Sequence, residues 1–383
     1  MTGQELMPVA IAGAFVFGMM LALPGRMQLP IAKRLGVEEA RIRGLLTALN
    51  LAMIPMMLLC GILVDRLGIR SMVILSSLLT GAAIFSLALS ETYAACFYSV
   101  MLIGVGGAGI GTAIVKLMPL AFFENSASAS LNMGHVFLGL GTLLAPTLAE
   151  LLVRNLGLRR GLSILAVVCL IPALAAALTS FERFADDRSG DLASVLRNPV
   201  IWLAGLVFLL YVPLEGIFGN WATNYLTELG HPESRAALLF SGFWLTFMAG
   251  RLVMSFLQYQ VLPDNSDAWV ILALALLAAV VTGNLAGTPK AVNAGWGLLL
   301  VGAILGPIFP TLVGLLFNLV GSPERGTAYG TMFAIGATGS AVLAPMIGVY
   351  ARNRTVRSAL RIPTVLALVL AGGSLALALT MLI

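Results

Sequence analysis

The sequence predicts an all-α membrane protein with twelve transmembrane helices arranged in two six-helix bundles. Of the 383 residues, 59% are hydrophobic and only 10% are charged, whereas a soluble domain carries about 25% charged residues. Apolar runs of roughly 17–25 residues, long enough to cross a bilayer, recur along the whole chain. The third observation is a repeat at half the chain length.

The repeat is centred on Ser130–Pro146, and a weaker copy occupies Thr331–Pro345. Both stretches contain a Leu-Ala-Pro triplet, and the two triplets begin at Leu144 and Leu343, 199 positions apart. Self-similarity at a fixed period indicates repeated architecture. We therefore expect two structurally related halves.

The predicted spans are bounded by charges and turn residues. They lie at about 7–30, 42–63, 71–90, 93–122, 128–153, 161–180, 200–226, 236–259, 268–286, 292–320, 327–351 and 360–382. One long polar interruption, Phe181–Asn198, separates six spans from six. The predicted organisation is a bundle at 1–180, a cytoplasmic linker at 181–198 and a second bundle at 199–383.

Composition and residue patterns also exclude several classes of protein. The first span has no basic segment or small-residue cleavage site, so it is expected to be retained. The net charge of +5 is spread along the loops and forms no nucleic-acid patch. The glycine run at Gly104–Gly111 is better explained by helix packing than by nucleotide binding. No metal or cofactor motif is present, and neither an enzyme nor primary ATP-driven transport is expected.

The loop after the second span has the sequence GILVDRLGIR, from Gly61 to Arg70. It resembles the G-x-L-x-D-R-x-G-x-R loop of the major facilitator superfamily, which lies between spans two and three on the cytoplasmic side. This resemblance implies alternating access, with the loop latching the inward face. The predicted gating residues are Gly61, Asp65, Arg66, Gly68 and Arg70.

The same resemblance places a multi-pass protein in the plasma membrane, the inner membrane of a bacterium, with both termini cytoplasmic. The distribution of Lys and Arg favours the opposite orientation, because they are more numerous on loops that this placement puts outside. We keep the placement implied by the loop and expect a monomer.

Four patches resemble the fucose/glucose–proton symporter branch of that superfamily. They are Leu131–Pro146, Glu215–Leu226, Phe247–Leu252 and Leu305–Leu312. The resemblance implies uptake of a sugar or similar small polar solute, coupled to a proton or to sodium. The branch carries acids in spans one and four, which this chain lacks. A transporter of organic anions or amphipathic compounds, and a non-transporting receptor or scaffold, therefore stay as alternatives.

Ionisable residues inside spans are costly unless they are paired or hydrated. Glu215 and Arg251 are the deepest, and they predict either a structural ion pair or a coupling site. His135 is a third coupling candidate and also a substrate-binding candidate, or else a hydrogen-bonded core residue. Lys116 predicts an anion site unless its ammonium extends to the interface, whereas Arg26 and Glu150 lie near span ends.

The best sugar-binding candidates fall within two turns of the seventh span. Trp221 offers an apolar face to a sugar ring, and Asn220 and Asn224 can hydrogen-bond hydroxyl groups. Trp221 and Tyr225 could equally be interfacial anchors. The complete substrate-binding prediction is Asn220, Trp221, Asn224, Tyr225, Lys116, Asn132, His135, Trp244, Asn318 and Tyr329.

Overall fold

A computed structural model describes residues 3–42, 44–181, 192–288, 291–351, 355 and 359–381. Every element in these ranges is helical, as predicted. The α-helices are α1 Met7–Leu35, α2 Glu39–Ile42, α3 Gly44–Leu67, α4 Ile69–Leu89, α5 Tyr93–Ala121, α6 Ala127–Val168, α7 Ile171–Leu178, α8 Leu192–Arg197, α9 Pro199–Glu228, α10 Glu233–Gln260, α11 Asp267–Gly287, α12 Ala291–Leu305, α13 Ile308–Leu319, α14 Arg325–Ala351 and α15 Arg361–Thr380. Two short 3₁₀ helices span Gly3–Leu6 and Ser322–Glu324.

The described residues include 10 helical segments long and apolar enough to cross a membrane, so the protein is a multi-pass membrane protein. One segment, Ala127–Leu178, has 52 residues, more than twice the roughly 20 needed for one crossing. It is interrupted at Gly157, whose φ of 79° and ψ of 162° are not helical. The predicted spans at 128–153 and 161–180 lie on either side of this glycine. The total of twelve spans stays a prediction.

The chain forms two compact units. Unit 1 comprises Met1–Glu124, Gly134–Val195 and Gly321–Gly330, and unit 2 comprises Asn125–Met133, Leu196–Val320 and Thr331–Ile383. Two short segments lie in the other unit from the one their predicted bundle would give. Asn125–Met133, with the beginning of α6, belongs to unit 2, and Gly321–Gly330, with the beginning of α14, belongs to unit 1. The predicted linker lies largely outside the described residues, because 182–191 are not described.

In unit 1, α5 packs against α1, α3 and α4. The glycine run on α5 is buried, and a Cβ atom at Gly107 or Gly111 would collide with Met20 or Phe17 of α1. Small residues on α5 therefore allow the helices to approach closely. This is the packing role expected for this stretch.

In unit 2, α11 packs against α12 and α15, and α10 packs against α9 and α12. The tenth predicted span is not one continuous helix. It consists of α12, which ends at Leu305, and α13, which begins at Ile308, with Gly306 and Pro307 between them. Since proline removes a backbone donor and disrupts a helix interior, the Gly-Pro pair explains the break.

Candidate functional site

Asp65, near the end of α3, is the centre of a buried polar cluster in unit 1. Its carboxylate accepts a hydrogen bond from Lys116 Nζ at 2.8 Å. It also accepts from the backbone N–H of Gly326 at 3.0 Å and that of Thr327 at 2.7 Å, and from the Thr327 hydroxyl at 2.7 Å. The Asp65 side chain is completely buried. Four donors, one of which carries a positive charge, compensate for the burial of this carboxylate.

Asp65 binds the backbone N–H groups of Gly326 and Thr327 because its carboxylate lies at the N-terminal end of α14. The first N–H groups of a helix have no partner within the helix, and this end carries a partial positive charge. A carboxylate is therefore stabilised at this end, provided that the backbones of α3 and α14 approach each other closely. A Cβ atom at Gly326 would overlap the Asp65 carboxylate and the Gly61 carbonyl. Glycine at 61 and 326 makes the contact possible.

The other predicted gating residues lie at the turn between α3 and α4. Gly68 has a positive φ of 81°, which favours glycine. Arg70 donates to the carbonyls of Ala176 at 3.1 Å and Ala177 at 2.8 Å, so it caps the end of α7. The Arg66 side chain is exposed.

Lys116 was predicted to bind an anion or to extend to the interface. Its ammonium lies in the Asp65 cluster, and the residue is only 5% exposed. The buried positive charge is therefore offset by an acid of the chain itself. Sequence reasoning identified both residues but did not connect them, because they are 51 positions apart.

A second cluster, in unit 2, lies at the break between α12 and α13. The end of α12 leaves carbonyl groups without helical partners. Tyr211 donates its hydroxyl proton to the Leu305 carbonyl at 3.1 Å, and Arg251 Nε donates to the Gly306 carbonyl at 2.9 Å. Arg251 is 7% exposed, and its guanidinium carbon lies 4.5 Å from the Phe247 ring centroid. We call Tyr211, Glu215, Arg251 and the two carbonyls the break cluster.

Glu215 joins this cluster from α9. It lies one helical turn after Tyr211, where residues four apart are neighbours. Its carboxyl group lies near enough to Arg251 and Tyr211 for both side chains to act on it electrostatically. The structure thus brings together Glu215 and Arg251, the two residues predicted for coupling. It adds Tyr211, which the four-residue spacing from Glu215 could have indicated.

The predicted sugar-binding residues of α9 have different environments. Asn220 and Asn224 are exposed, Trp221 is half-buried and Tyr225 is buried. The Tyr225 hydroxyl donates to the Leu285 carbonyl of α11 at 2.8 Å. Half-buried Trp244 of α10 makes edge contacts with three phenylalanine rings, those of Phe240, Phe243 and Phe247.

The Tyr225 contact supports a structural role that can be tested. Tyr225→Phe is expected to lower the stability of the protein by about 1 kcal/mol, because the buried Leu285 carbonyl loses its donor. Thermal unfolding in detergent would measure this loss. Tyr98→Phe is the matched control, since Tyr98 is exposed. An unchanged unfolding temperature combined with altered substrate selectivity would instead support direct substrate binding by Tyr225.

Two other candidates lie in a third cluster, also in unit 2. Asn132 Nδ2 donates to Gln258 Oε1 at 2.8 Å and to Thr311 Oγ1 at 3.0 Å. Asn318 Nδ2 donates to Asp267 Oδ2 at 3.2 Å. Sequence reasoning did not identify Gln258, Thr311 or Asp267 as members of a site.

The remaining candidates lie in other parts of the described structure. His135 on α6 is 3% exposed and Tyr329 on α14 is 2% exposed, so both are buried in unit 1. Arg26 and Glu150 are exposed, and Arg26 lies nine residues before the end of α1. Within the described ranges, no three His, Cys, Asp or Glu residues are grouped to hold a metal ion.

The helical architecture and buried charge clusters are those of a polytopic membrane protein. Residues 9–345 match the family model of the Major Facilitator Superfamily. The chain therefore belongs to this family and has a transporter fold. This confirms the family resemblance seen in the Gly61–Arg70 loop.

Solved structures share this fold over nearly the whole chain. FucP, the fucose:proton symporter of E. coli, is 18% identical with a TM-score of 0.80, and the similarity covers 98% of this chain and 99% of that one. The human organic anion transporter MFSD10 is 19% identical with a TM-score of 0.72, covering 97% and 99% respectively. Because both sequence identities are below 20%, these similarities show a shared fold and nothing more.

Two curated proteins are similar in sequence. Bypass of stop codon protein 6 of Saccharomyces cerevisiae is 25% identical over 166 residues, which is 42% of this chain and 33% of that protein. Agnestins efflux protein AgnL12 of Paecilomyces divaricatus is 29% identical over 209 residues, 52% of this chain and 47% of that protein. The matches span less than half the length of either relative.

Proposed function

We propose that this protein is a proton-coupled secondary transporter that takes up a sugar or a similar small polar solute by alternating access. The observation that carries the proposal is the break cluster, where a buried arginine, a carboxylic acid and a tyrosine hydroxyl meet the carbonyl end of a broken helix. Broken helices of this kind form substrate and ion sites in many transporters.

The hydrogen bonds of Tyr211 explain how a proton could be held there. A tyrosine hydroxyl has one proton to donate, and Tyr211 donates it to the Leu305 carbonyl. The hydroxyl oxygen can then accept a hydrogen bond from Glu215 when that carboxyl group is protonated. When Glu215 is ionised, the charge of Arg251 stabilises it instead. Both protonation states of Glu215 therefore have a partner, as a coupling residue requires.

A sugar is favoured by the polar and aromatic residues near Glu215. Asn220 lies on the same helix and is exposed, and the Trp244 ring lies close to the backbone of Gly219. Amides pair with hydroxyl groups, and an indole face can stack on an apolar sugar face. The fold shared with a fucose:proton symporter agrees with this substrate class.

The second candidate function is transport of organic anions or amphipathic compounds, including efflux. It is favoured by Arg251, a buried cation in the break cluster, and by the names of two similar proteins, an organic anion transporter and an efflux protein. Lys116 contributes less to this alternative because Asp65 is bound to its ammonium.

Counterflow in proteoliposomes separates these functions. Purified protein would be reconstituted with an internal unlabelled solute, and uptake of labelled sugars and of labelled carboxylates would be compared with protein-free liposomes. We expect exchange of at least one neutral sugar. Exchange of carboxylates alone would overturn the sugar proposal in favour of the anion transporter. If no sugar, carboxylate or amphipathic solute exchanges, a receptor or scaffold becomes the better explanation.

A further inference from the structure

Three exposed arginines lie around the interruption of α6 at Gly157. Arg159 and Arg160 follow the interruption and line a cleft of about 600 Å³, and Arg154 precedes it. The other residues that line the cleft are Leu156, Ser163 and Ile164. The cleft lies wholly within unit 1, and the proposed function does not use it.

The chain reverses direction at this interruption. Gly157 has a positive φ of 79°, and a Cβ atom at Gly161 would lie only 3.0 Å from the backbone nitrogen of Val153. In a straight helix, residues eight positions apart are separated by about 12 Å along the axis. The reversal therefore brings the backbone at Arg154 next to that at Arg160, and one tight turn carries all three positive charges.

These three arginines lack an ion-pair partner within the described ranges. Glu150 is the single acid among residues 150–160, so this segment carries a net charge of +2. The Ser163 hydroxyl donates to the Arg159 carbonyl at 2.8 Å, which leaves the guanidinium groups as the donors available in the cleft. A planar guanidinium binds a phosphate with two parallel hydrogen bonds. The cleft thus has the chemistry of a phosphate site.

An exposed apolar stripe leads away from the cleft along the end of α6 and along α7. Its members are 40–80% exposed and recur every three or four residues, a spacing that keeps side chains on one side of a helix. They are Ile164, Val167, Ile171, Leu174 and Leu178. The opposite side is buried, and α7 packs there against α1 and α4. In a membrane protein, such a stripe faces lipid chains.

The length of the stripe places the arginines at the level of lipid headgroups. Leu178 lies 18 positions after Arg160, which corresponds to about 27 Å along a helix. The hydrocarbon core of a bilayer is about 30 Å thick. With Leu178 near one surface of the hydrocarbon core, Arg160 therefore lies near the other.

We propose that the cleft binds the phosphate of one anionic phospholipid, whose acyl chains lie along the stripe. The phosphate supplies negative charge to the arginines, and the chains cover the exposed apolar side chains. Basic pockets at the ends of transmembrane helices bind anionic headgroups in this way. Phosphatidylcholine is disfavoured because its choline group adds a positive charge beside the guanidinium groups. A soluble phosphate would use the arginines but not the stripe.

Native mass spectrometry of the detergent-purified protein tests the headgroup contact, with phosphatidylglycerol as the probe and phosphatidylcholine of the same chains as the comparison. We expect one phosphatidylglycerol to bind more tightly than phosphatidylcholine. Arg159→Gln/Arg160→Gln should weaken phosphatidylglycerol binding by roughly tenfold or more, because two attractive charges are lost. Both positions are exposed, so this variant should fold.

The matched control is Arg235→Gln/Arg361→Gln, which removes the same charge from two exposed positions of unit 2 and should bind the lipid normally. Unchanged binding in Arg159→Gln/Arg160→Gln, or equal weakening in both double variants, would overturn the proposal. Equal affinity for phosphatidylcholine would overturn it as well.

Two further measurements distinguish a lipid from a soluble anion. Val167→Ser should weaken phosphatidylglycerol binding by about fourfold, the contribution of one buried methylene group. Val280→Ser makes the same change at a similarly exposed position of α11 and should have no effect. Glycerophosphoglycerol has the headgroup without the chains and should not displace the lipid at equal concentration.

Displacement by glycerophosphoglycerol at equal concentration, or unchanged binding in Val167→Ser, would show that the cleft takes a soluble anion and would overturn the lipid assignment. The measurements need neither transported substrate nor proton gradient. A failure of sugar counterflow therefore leaves their result interpretable.

Discussion

Replacing Asp65 with asparagine is expected to destabilise the protein by about 3–5 kcal/mol, the range observed when one partner of a buried ion pair is removed. The Lys116 ammonium would stay buried without its counter-ion. The asparagine NH₂ group would also face donors on Gly326 and Thr327, at least one of which would lose its acceptor. Both effects act in the same direction.

Thermal unfolding of detergent-purified protein measures this loss, with Glu91→Gln as control, because Glu91 is an exposed acid of unit 1. Lys116→Met should cost less, since Asp65 keeps its three donors from the first turn of α14. The double variant Asp65→Asn/Lys116→Met should recover part of the stability lost in Asp65→Asn. Equal unfolding temperatures for Asp65→Asn and the control would show that the cluster contributes no stability.

Glu215→Gln is expected to abolish substrate accumulation driven by a pH gradient and to leave counterflow exchange intact. Glutamine cannot take up or release a proton, yet its amide can still hydrogen-bond Tyr211 and so preserve the break cluster. A loss confined to accumulation would identify Glu215 as the coupling residue, because exchange requires binding and conformational change without net proton movement.

Uptake into proteoliposomes with an imposed pH gradient measures the first quantity, and counterflow measures the second. Glu228→Gln is the matched control, because it makes the same change at an exposed position of the same helix. Full accumulation by Glu215→Gln would remove Glu215 from the coupling mechanism. Loss of exchange as well as accumulation would point to a structural ion pair with Arg251.

Much of the architecture could be predicted because the bilayer imposes strong constraints on sequence. Long apolar runs predicted the helices, and Gly61–Arg70 predicted the family. The residues Glu215 and Arg251 were predicted as a pair because few charges occur inside spans, and each needs a partner. These signals are local, or concern residue types that are rare in this environment.

The partners of the buried groups were much harder to predict. Asp65 lies 262 positions from its partner Thr327 in the sequence. Tyr211 and Arg251 bind backbone carbonyls, and because every residue has one, no residue type in the sequence marks these acceptors. Asp267 reads in the sequence as an ordinary first-turn acid, which is favourable at any helix N-terminus. Its burial and its hydrogen bonds with Gln258 and Asn318 depend on tertiary packing, so periodicity and motifs could not indicate them.

The acceptors at the end of α12 have a consequence for how this protein tolerates mutation. Leu305 and Gly306 contribute main-chain oxygens, which every amino acid possesses, so substitution at these positions cannot delete the acceptor atoms. What can be lost is the interruption itself. A continuous helix would bind the Leu305 oxygen through the N–H of Phe309, whereas the Gly306 oxygen would still have no helical donor because residue 310 is proline. Mutations can therefore alter this site in two ways: replacement of Pro307 can restore a continuous helix, and replacement of Tyr211 or Arg251 removes a donor. The carbonyl oxygens themselves remain available as long as the helix stays broken.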